Sequence, residues 1–231
     1  MAAADGLDSL AELFWRDGVV VAPAVADEDT VDALRRLADD VMEHPRPLHT
    51  TDGEARPDSY LWLTEPACVE AIAANGLSRL AARVLRSRRV RLYYDQVFAK
   101  PVGRSVATEW HTDASYWPVT GSQVCSIWLA LDAAGPASGG LRYRVGDPPR
   151  ERTIELTPGD VVIHRGDAIH ASFPNTDPTN NRRAYVTRWL GDDVRFRHRP
   201  GLGAFPMEVG LSDGDDFEHL LFPVLWDDAW T

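Results

Sequence analysis

Apolar positions in the first third of the chain recur at helical spacing. Residues 7–16, LDSLAELFWR, predict a short helix that stops at Asp17-Gly18, and VVVAPAV after it predicts a strand broken by Pro23. Behind the acidic start DEDT, Val31, Leu34, Leu37, Ala38 and Val41 form one stripe of a second helix, which Pro45 ends. A third helix is predicted over 66–86, opened by Thr64 and Pro66. From about residue 89 the period changes. Short runs of β-branched and aromatic residues now alternate with Gly, Pro and Asp clusters, predicting strands at 90–98, 124–131, 140–145, 152–156, 160–164, 168–173 and 184–190. Pro158-Gly159 suits the centre of a type II turn, so TPGD should reverse the chain between two of them. Many short strands at this spacing indicate a sandwich or jelly roll. The expected organisation is one domain over 1–231: a helical part at 1–88, a β core at about 89–190 and a loop-rich tail at 191–231.

Composition narrows the function. At 231 residues and 44% hydrophobic, the chain can bury one good core. Its net charge of −11 argues against a phosphate backbone as main partner, so no nucleic acid is expected. One local exception is the arginine cluster Arg79, Arg83, Arg86, Arg88, Arg89 and Arg91. It either complements a helix C-terminus or docks an anion. No run reaches the roughly 18 apolar residues of a membrane span, and the start MAAADGLDSL lacks a secretory pattern, so the expected location is cytoplasmic. Cys68 and Cys125 have no CxxC spacing and read as packing residues rather than as a disulfide or thiolate site.

The candidate chemistry starts at EWHTDASYW, Glu109 to Trp117, where His111 and Asp113 stand two apart among aromatic residues. With 35 acidic residues and 7 histidines in 231 positions, chance alone supplies about one such pair. The pair gains meaning only if a later strand brings a third ligand. His164 and His170 both qualify: six residues apart, they would share a face of one unbroken strand, but Gly166-Asp167 between them breaks the count. Periodicity leaves the choice open.

Several segments, in order, carry a resemblance: FWRDGVVVAPAVADEDTVDALRRLADDV, QVFAKPVG, WHTDASYWP, SIWLALD, GGLRY, TPGDVVIHRGDAIHASFPN and NRRAYVTRWL. Together they resemble the phytanoyl-CoA dioxygenase family of iron(II)/2-oxoglutarate oxygenases. The resemblance implies a mainly β, cupin-like double-stranded β-helix with flanking N-terminal helices. It also implies an Fe(II) site made by His111, Asp113 and His170, the last read from HAS, with His164 in a supporting role. Two imidazoles and one carboxylate on one face hold Fe(II) and leave positions open for cosubstrate and O2.

The same resemblance implies an arginine for the far carboxylate of 2-oxoglutarate, a task suited to a guanidinium fork. Alternation sends Arg182 and Arg183 to opposite faces, and the family pattern favours Arg182, with Arg183 or Arg188 as replacements. Gln96 and Ser172 match residues that hydrogen-bond the cosubstrate, and Trp128 one that walls it. Tyr60, Trp62, Tyr116 and Trp117 are candidates for a substrate wall, with Arg104 and Glu109 as polar neighbours.

One segment departs from the family. After GGL the chain reads RYRVGDPPRERTIEL, without the usual Pro-Gly-Ser-His turn and long insert, so a reduced lid and a carrier-free small substrate are expected. The implied activity is oxidation, foremost hydroxylation, of a small organic molecule in natural-product biosynthesis, with 2-oxoglutarate converted to succinate. The competing expectation is a jelly-roll module that binds a metal or small ligand without turnover, which would leave the arginine of NRRAYV without a task.

Overall fold

The computed structural model describes residues 2–45, 48–50, 58–103, 106–200, 202 and 204–230. Helix α1 (Ala2–Asp17) leads into strand β1 (Val19–Ala22) and helix α2 (Glu28–Glu43), whose first turn is capped by Asp27 accepting from the Thr30 amide at 2.9 Å. The apolar stripe of α2 is buried as its spacing requires. The helix expected over 66–86 is two helices, α3 (Pro66–Ala74) and α4 (Leu77–Leu85). Gly76 separates them at φ +60°, a left-handed conformation that breaks the hydrogen-bond ladder and lets α4 bury Leu77, Leu80, Ala81 and Val84 on a new axis.

The β half consists of β2 (Arg89–Lys100), β3 (Thr108–His111), β4 (Val119–Thr120), β5 (Val124–Ala130), β6 (Leu141–Val145), β7 (Arg150–Thr153), β8 (Val161–Arg165), β9 (His170–Ser172), β10 (Arg182–Leu190), β11 (Arg195–Phe196) and β12 (Val224–Asp227). They form a six-stranded sheet in the order β1-β8-β5-β10-β2-β12, a four-stranded sheet in the order β3-β9-β6-β7, and a small β4-β11 ribbon. All pairings are antiparallel. The TPGD turn before β8 closes with the Asp160 amide on the Thr157 carbonyl at 3.0 Å.

Strand alternation divides the large sheet. Cys125, Ile127, Leu129, Tyr185 and Trp189 pack with Phe14, Leu34 and Leu80 of the helices, so the helical layer covers the outer face. Trp128, Ala130, Ala184 and Val186 point the other way, onto Leu141 and Tyr143 of the small sheet. This is a mainly β, double-stranded β-helix with its N-terminal helices on one side. Both cysteines are buried and unpaired, and burial pushes both thiols up, as packing residues should be. Among the described residues no helix is long and apolar enough to cross a membrane.

Other differences from the expected elements have local causes. The strand expected at 152–156 lies at Arg150–Thr153, forming a plain hairpin with β6, while Leu156 makes only an isolated bridge to Ala134. The tail supplies an edge strand: β12 pairs with the start of β2, with Val224 opposite Arg91 and Asp227 opposite Arg89. The arginine cluster fastens this tail. Arg89 meets Asp227 at 2.7 Å, Arg88 lies 3.8 Å from Asp192, and Arg91 donates to the Phe222 carbonyl. The docking alternative thus loses Arg89 and Arg91 of its six arginines.

Candidate active site

His111 ends β3 and His170 begins β9, and the two are directly paired across the small sheet. Asp113 opens the short 3-10 turn Asp113–Tyr116 just after β3, which swings its carboxylate back toward both rings. The ligand atoms of these three residues all lie within 4.8 Å of one another. His111 Nε2 is 3.8 Å and His170 Nε2 3.7 Å from the same oxygen, Asp113 Oδ1.

Hydrogen bonds set the protonation each group needs. His111 Nδ1 faces the Glu109 carbonyl at 2.8 Å and His170 Nδ1 the Ala168 carbonyl at 3.0 Å. A carbonyl only accepts, so each Nδ1 carries a proton, and in the neutral ring Nε2 is then the nitrogen with a lone pair for a metal. Burial, helped by the neighbouring His164, lowers the His170 pKa to about 3, so this ring is neutral at physiological pH. Burial alone would raise the Asp113 carboxyl. The His164 hydrogen bond and the nearby Arg188 charge outweigh it and hold the group well below the usual range. Asp113 Oδ2 accepts from Ser126 Oγ at 2.6 Å and lies 3.2 Å from His164 Nε2, which leaves Oδ1 toward the two imidazoles. Two neutral nitrogens and one anionic oxygen, with outer partners orienting each, match the donor set of a mononuclear Fe(II) site.

His164 and His170 reach this point from opposite sheets. His164 sits on β8 of the large sheet and His170 on β9 of the small one, and both face the interior because the turn between them crosses from sheet to sheet. His164 Nδ1 lies 2.9 Å from the hydroxyl of Tyr143, which burial keeps protonated. Tyr143 therefore donates to His164, and His164 donates to Asp113.

Two cavities meet at the cluster. One, of about 430 Å³, is lined by Lys100, Trp128, Ser172 and Arg182; the other, of about 490 Å³, by Tyr60, Tyr94, Gln96, Tyr116 and Trp117. His111, Asp113 and Arg188 border both. Arg182 is only 3% exposed, and neither its Nε nor its Nη1 has a hydrogen-bond partner among the described residues. Its guanidinium carbon lies 5.3 Å from the centre of the Trp128 ring. Burial lowers its pKa only to about 10, so it stays cationic. An unpartnered cation beside a cavity fits a carboxylate ligand. Arg183, on the opposite face, is consumed by Asp132 and by Asp39 of α2, at 2.8 and 2.7 Å.

The other expected residues divide between the cavities. Trp128 and Ser172 line the Arg182 cavity, with Ser172 Oγ donating to Thr108 Oγ1 at 2.8 Å. Gln96 lies instead on the wall of the larger cavity: its amide nitrogen donates to Asp58 at 3.0 Å and its oxygen accepts from Arg188 at 3.0 Å. Tyr60, Tyr116, Trp117 and Glu109 line that cavity too. Trp62 packs against the helical core instead, and Arg104 lies outside the described residues. Lys100 and Ser126 were not singled out from the sequence, yet parity reveals them. Lys100 shares the face of Gln96 on β2, and Ser126 that of Trp128 on β5.

The sequence profile of the phytanoyl-CoA dioxygenase (PhyH) family matches residues 14–150, more than half of the chain. No curated protein matches the sequence. Among solved structures, the fold is similar to SnoN, a non-haem alpha-ketoglutarate-dependent epimerase from nogalamycin biosynthesis, with a TM-score of 0.78 at 21% identity over 96% of this chain and 99% of that one. SnoK, a carbocyclase of the same biosynthesis, has a TM-score of 0.76 at 21% identity over 94% of this chain and 95% of that one. EctD from S. alaskensis, with bound Fe, has a TM-score of 0.67 at 18% identity, covering 78% of this chain and 75% of that one.

Proposed function

The chain belongs to the phytanoyl-CoA dioxygenase family of iron(II)/2-oxoglutarate-dependent enzymes, and from that premise we propose that it hydroxylates a small, ring-bearing organic molecule held in the larger cavity. His111, Asp113 and His170 would hold the iron, and Arg182 the far carboxylate of 2-oxoglutarate. Fe(II) with 2-oxoglutarate bound would activate O2, one oxygen atom going to the keto acid as it becomes succinate and CO2 and the other to the substrate. Membership of an enzyme family sets the non-catalytic binding module aside.

The observation that carries the proposal is the buried, unpartnered Arg182 guanidinium in a cavity bordered by His111, Asp113 and His170. Trp128 closes that cavity with an apolar face and keeps water from the cation. Ser126 and His164 fix Asp113 so that one oxygen alone faces the histidines. Across the cluster, Tyr60 stacks on Tyr94 at 5.3 Å and Trp117 Nε1 donates to the Tyr94 hydroxyl at 3.1 Å, which makes a rigid wall suited to a flat substrate.

SnoN and SnoK, an epimerase and a carbocyclase of nogalamycin biosynthesis, and EctD, solved with 2-oxoglutarate and 5-hydroxyectoine, support a place in small-molecule biosynthesis. They also show that this fold accommodates outcomes other than hydroxylation. Aromatic and alicyclic compounds can be screened by the succinate they stimulate, and the products weighed. The proposal expects a gain of one oxygen atom. A product of unchanged mass, or one lighter by two hydrogens, would reject hydroxylation and retain the family chemistry.

A further inference from the structure

Arg182, Ala184, Val186 and Arg188 lie on one face of β10, so the strand presents two inward arginines six residues apart. The first is accounted for by the cosubstrate. Arg188 is as deeply buried, at 4% exposure, and its Nε and Nη1 also lack any hydrogen-bond partner among the described residues. It makes no ion pair among the described residues, although the carboxylates of Asp113 and Glu109 border the same cavity. From Nη2 it donates to Gln96 Oε1 at 3.0 Å, and Asp58 in turn accepts from the Gln96 amide at 3.0 Å. The guanidinium carbon lies 4.3 Å from the centre of the Tyr94 ring and 5.6 Å from that of Phe98. This cation is therefore held in place from two sides, with further donors left to be satisfied.

We propose that Arg188 is the substrate anchor of this enzyme and that it selects a ring-bearing molecule carrying an anionic oxygen, a carboxylate or an ionised phenol, in the aromatic cavity. The inference rests on the oxygenase function above and adds the charge class of its substrate. A buried donor without a partner is unfavourable, and a buried charge more so; an anionic acceptor cancels both. A neutral ring would fill the cavity and leave Arg188 as it is. Gln96, expected to serve the cosubstrate, becomes the residue that orients the substrate anchor. The stacked Tyr60 and Tyr94 rings supply a flat surface beside the guanidinium.

The test uses 2-naphthoate and its neutral counterpart 2-naphthamide, titrated calorimetrically into full-length protein saturated anaerobically with Fe(II) and 2-oxoglutarate. Saturation keeps the probe out of the Arg182 cavity. The expected result is at least tenfold tighter binding of the acid. Arg188→Gln should abolish that preference while the visible absorption band of the iron chelate persists, which also certifies that this variant is folded. Gln96→Leu, which removes only the orienting bond, should reduce the preference severalfold. Equal binding of acid and amide, absence of naphthoate binding, or a preference that survives Arg188→Gln would overturn the proposal. Loss of the chelate band in Arg188→Gln with the naphthoate preference intact would also overturn it, by assigning Arg188 to the cosubstrate. If the unmodified protein forms no chelate band, the oxygenase function fails; the acid-over-amide preference is then measured on Fe(II)-loaded protein, where its presence upholds the anion site and its absence overturns it.

Discussion

His164 Nε2 points at Asp113 Oδ2 across 3.2 Å, while Asp113 Oδ1 is the oxygen that faces His111 and His170. In the proposed iron site the two histidines that compete in the sequence for one place would have different tasks, one toward the metal and one behind its carboxylate. Removing an outer partner of a metal ligand typically weakens metal binding by about 10- to 100-fold. His164→Ala should retain iron at that reduced affinity, whereas His170→Ala and His111→Ala should lose stoichiometric iron. Metal content after dialysis distinguishes them, and the reverse ranking of His164 and His170 would reject the ligand set.

Arg182→Ala should weaken 2-oxoglutarate binding by roughly 10- to 150-fold, the loss expected for about 1.5–3 kcal/mol of charged hydrogen bonding, and leave iron bound. Arg183→Ala should leave the cosubstrate affinity unchanged and lower stability instead, by about 1–3 kcal/mol in denaturant unfolding, because its carboxylate partners lose their donor. A cosubstrate defect in Arg183→Ala with none in Arg182→Ala would invert the facing of β10.

Much of this arrangement is legible in the sequence, and the illegible parts have physical reasons. Helical periodicity marks the helical half, and runs of β-branched and aromatic residues mark β2, β5, β6, β8, β9 and β10 because these strands are largely buried; β7, exposed along its whole length, begins two residues before its expected position. Strand β3 escapes: Thr108–His111 is four residues, its first two are exposed, and its pairing partner β9 is remote in sequence. β12 escapes likewise, as a four-residue strand in a loop-rich tail. Parity cannot place His164 and His170 because it assumes one continuous strand, and here the chain changes sheets between them. Gln96 faces inward as its position requires, but alternation does not tell which of two adjoining cavities an inward residue enters.

Lys100 should make 2-oxoglutarate binding sensitive to pH. Its ammonium donates to the Val106 and Phe173 carbonyls at 2.7 Å, and burial, with the nearby Arg182 charge, lowers its pKa to about 8. Lys100 is cationic below that value and neutral above it, so the cavity loses positive charge as pH rises through about 8. The affinity for the 2-oxoglutarate dianion should decline over that interval, with proton uptake on binding near pH 8–9. Lys100→Met should bind more weakly at pH 7 and show no such decline. An affinity for the unmodified protein that is flat from pH 7 to 9 would remove Lys100 from this role.

Gly139 packs against Lys100 and Arg182, two side chains that line the same cavity. At φ +72° a side chain is strained, and a Cβ would lie 2.9 Å from Lys100 Cδ and 3.2 Å from Arg182 Nε. Gly139→Ala should therefore displace both cations and lower 2-oxoglutarate affinity several-fold at unchanged iron content. Calorimetric titration of the variant reads this directly, and unchanged affinity would show that the cations are not held against this backbone.

The central claim is that one cluster, His111, Asp113 and His170, holds iron where Arg182 can receive 2-oxoglutarate. It is tested most directly by adding Fe(II) and then 2-oxoglutarate to the protein without oxygen and recording the visible spectrum. A weak charge-transfer band should appear that saturates at one equivalent of each, is absent in Asp113→Ala, and needs much higher 2-oxoglutarate in Arg182→Ala. No band in the unmodified protein, or a band indifferent to both substitutions, would contradict it.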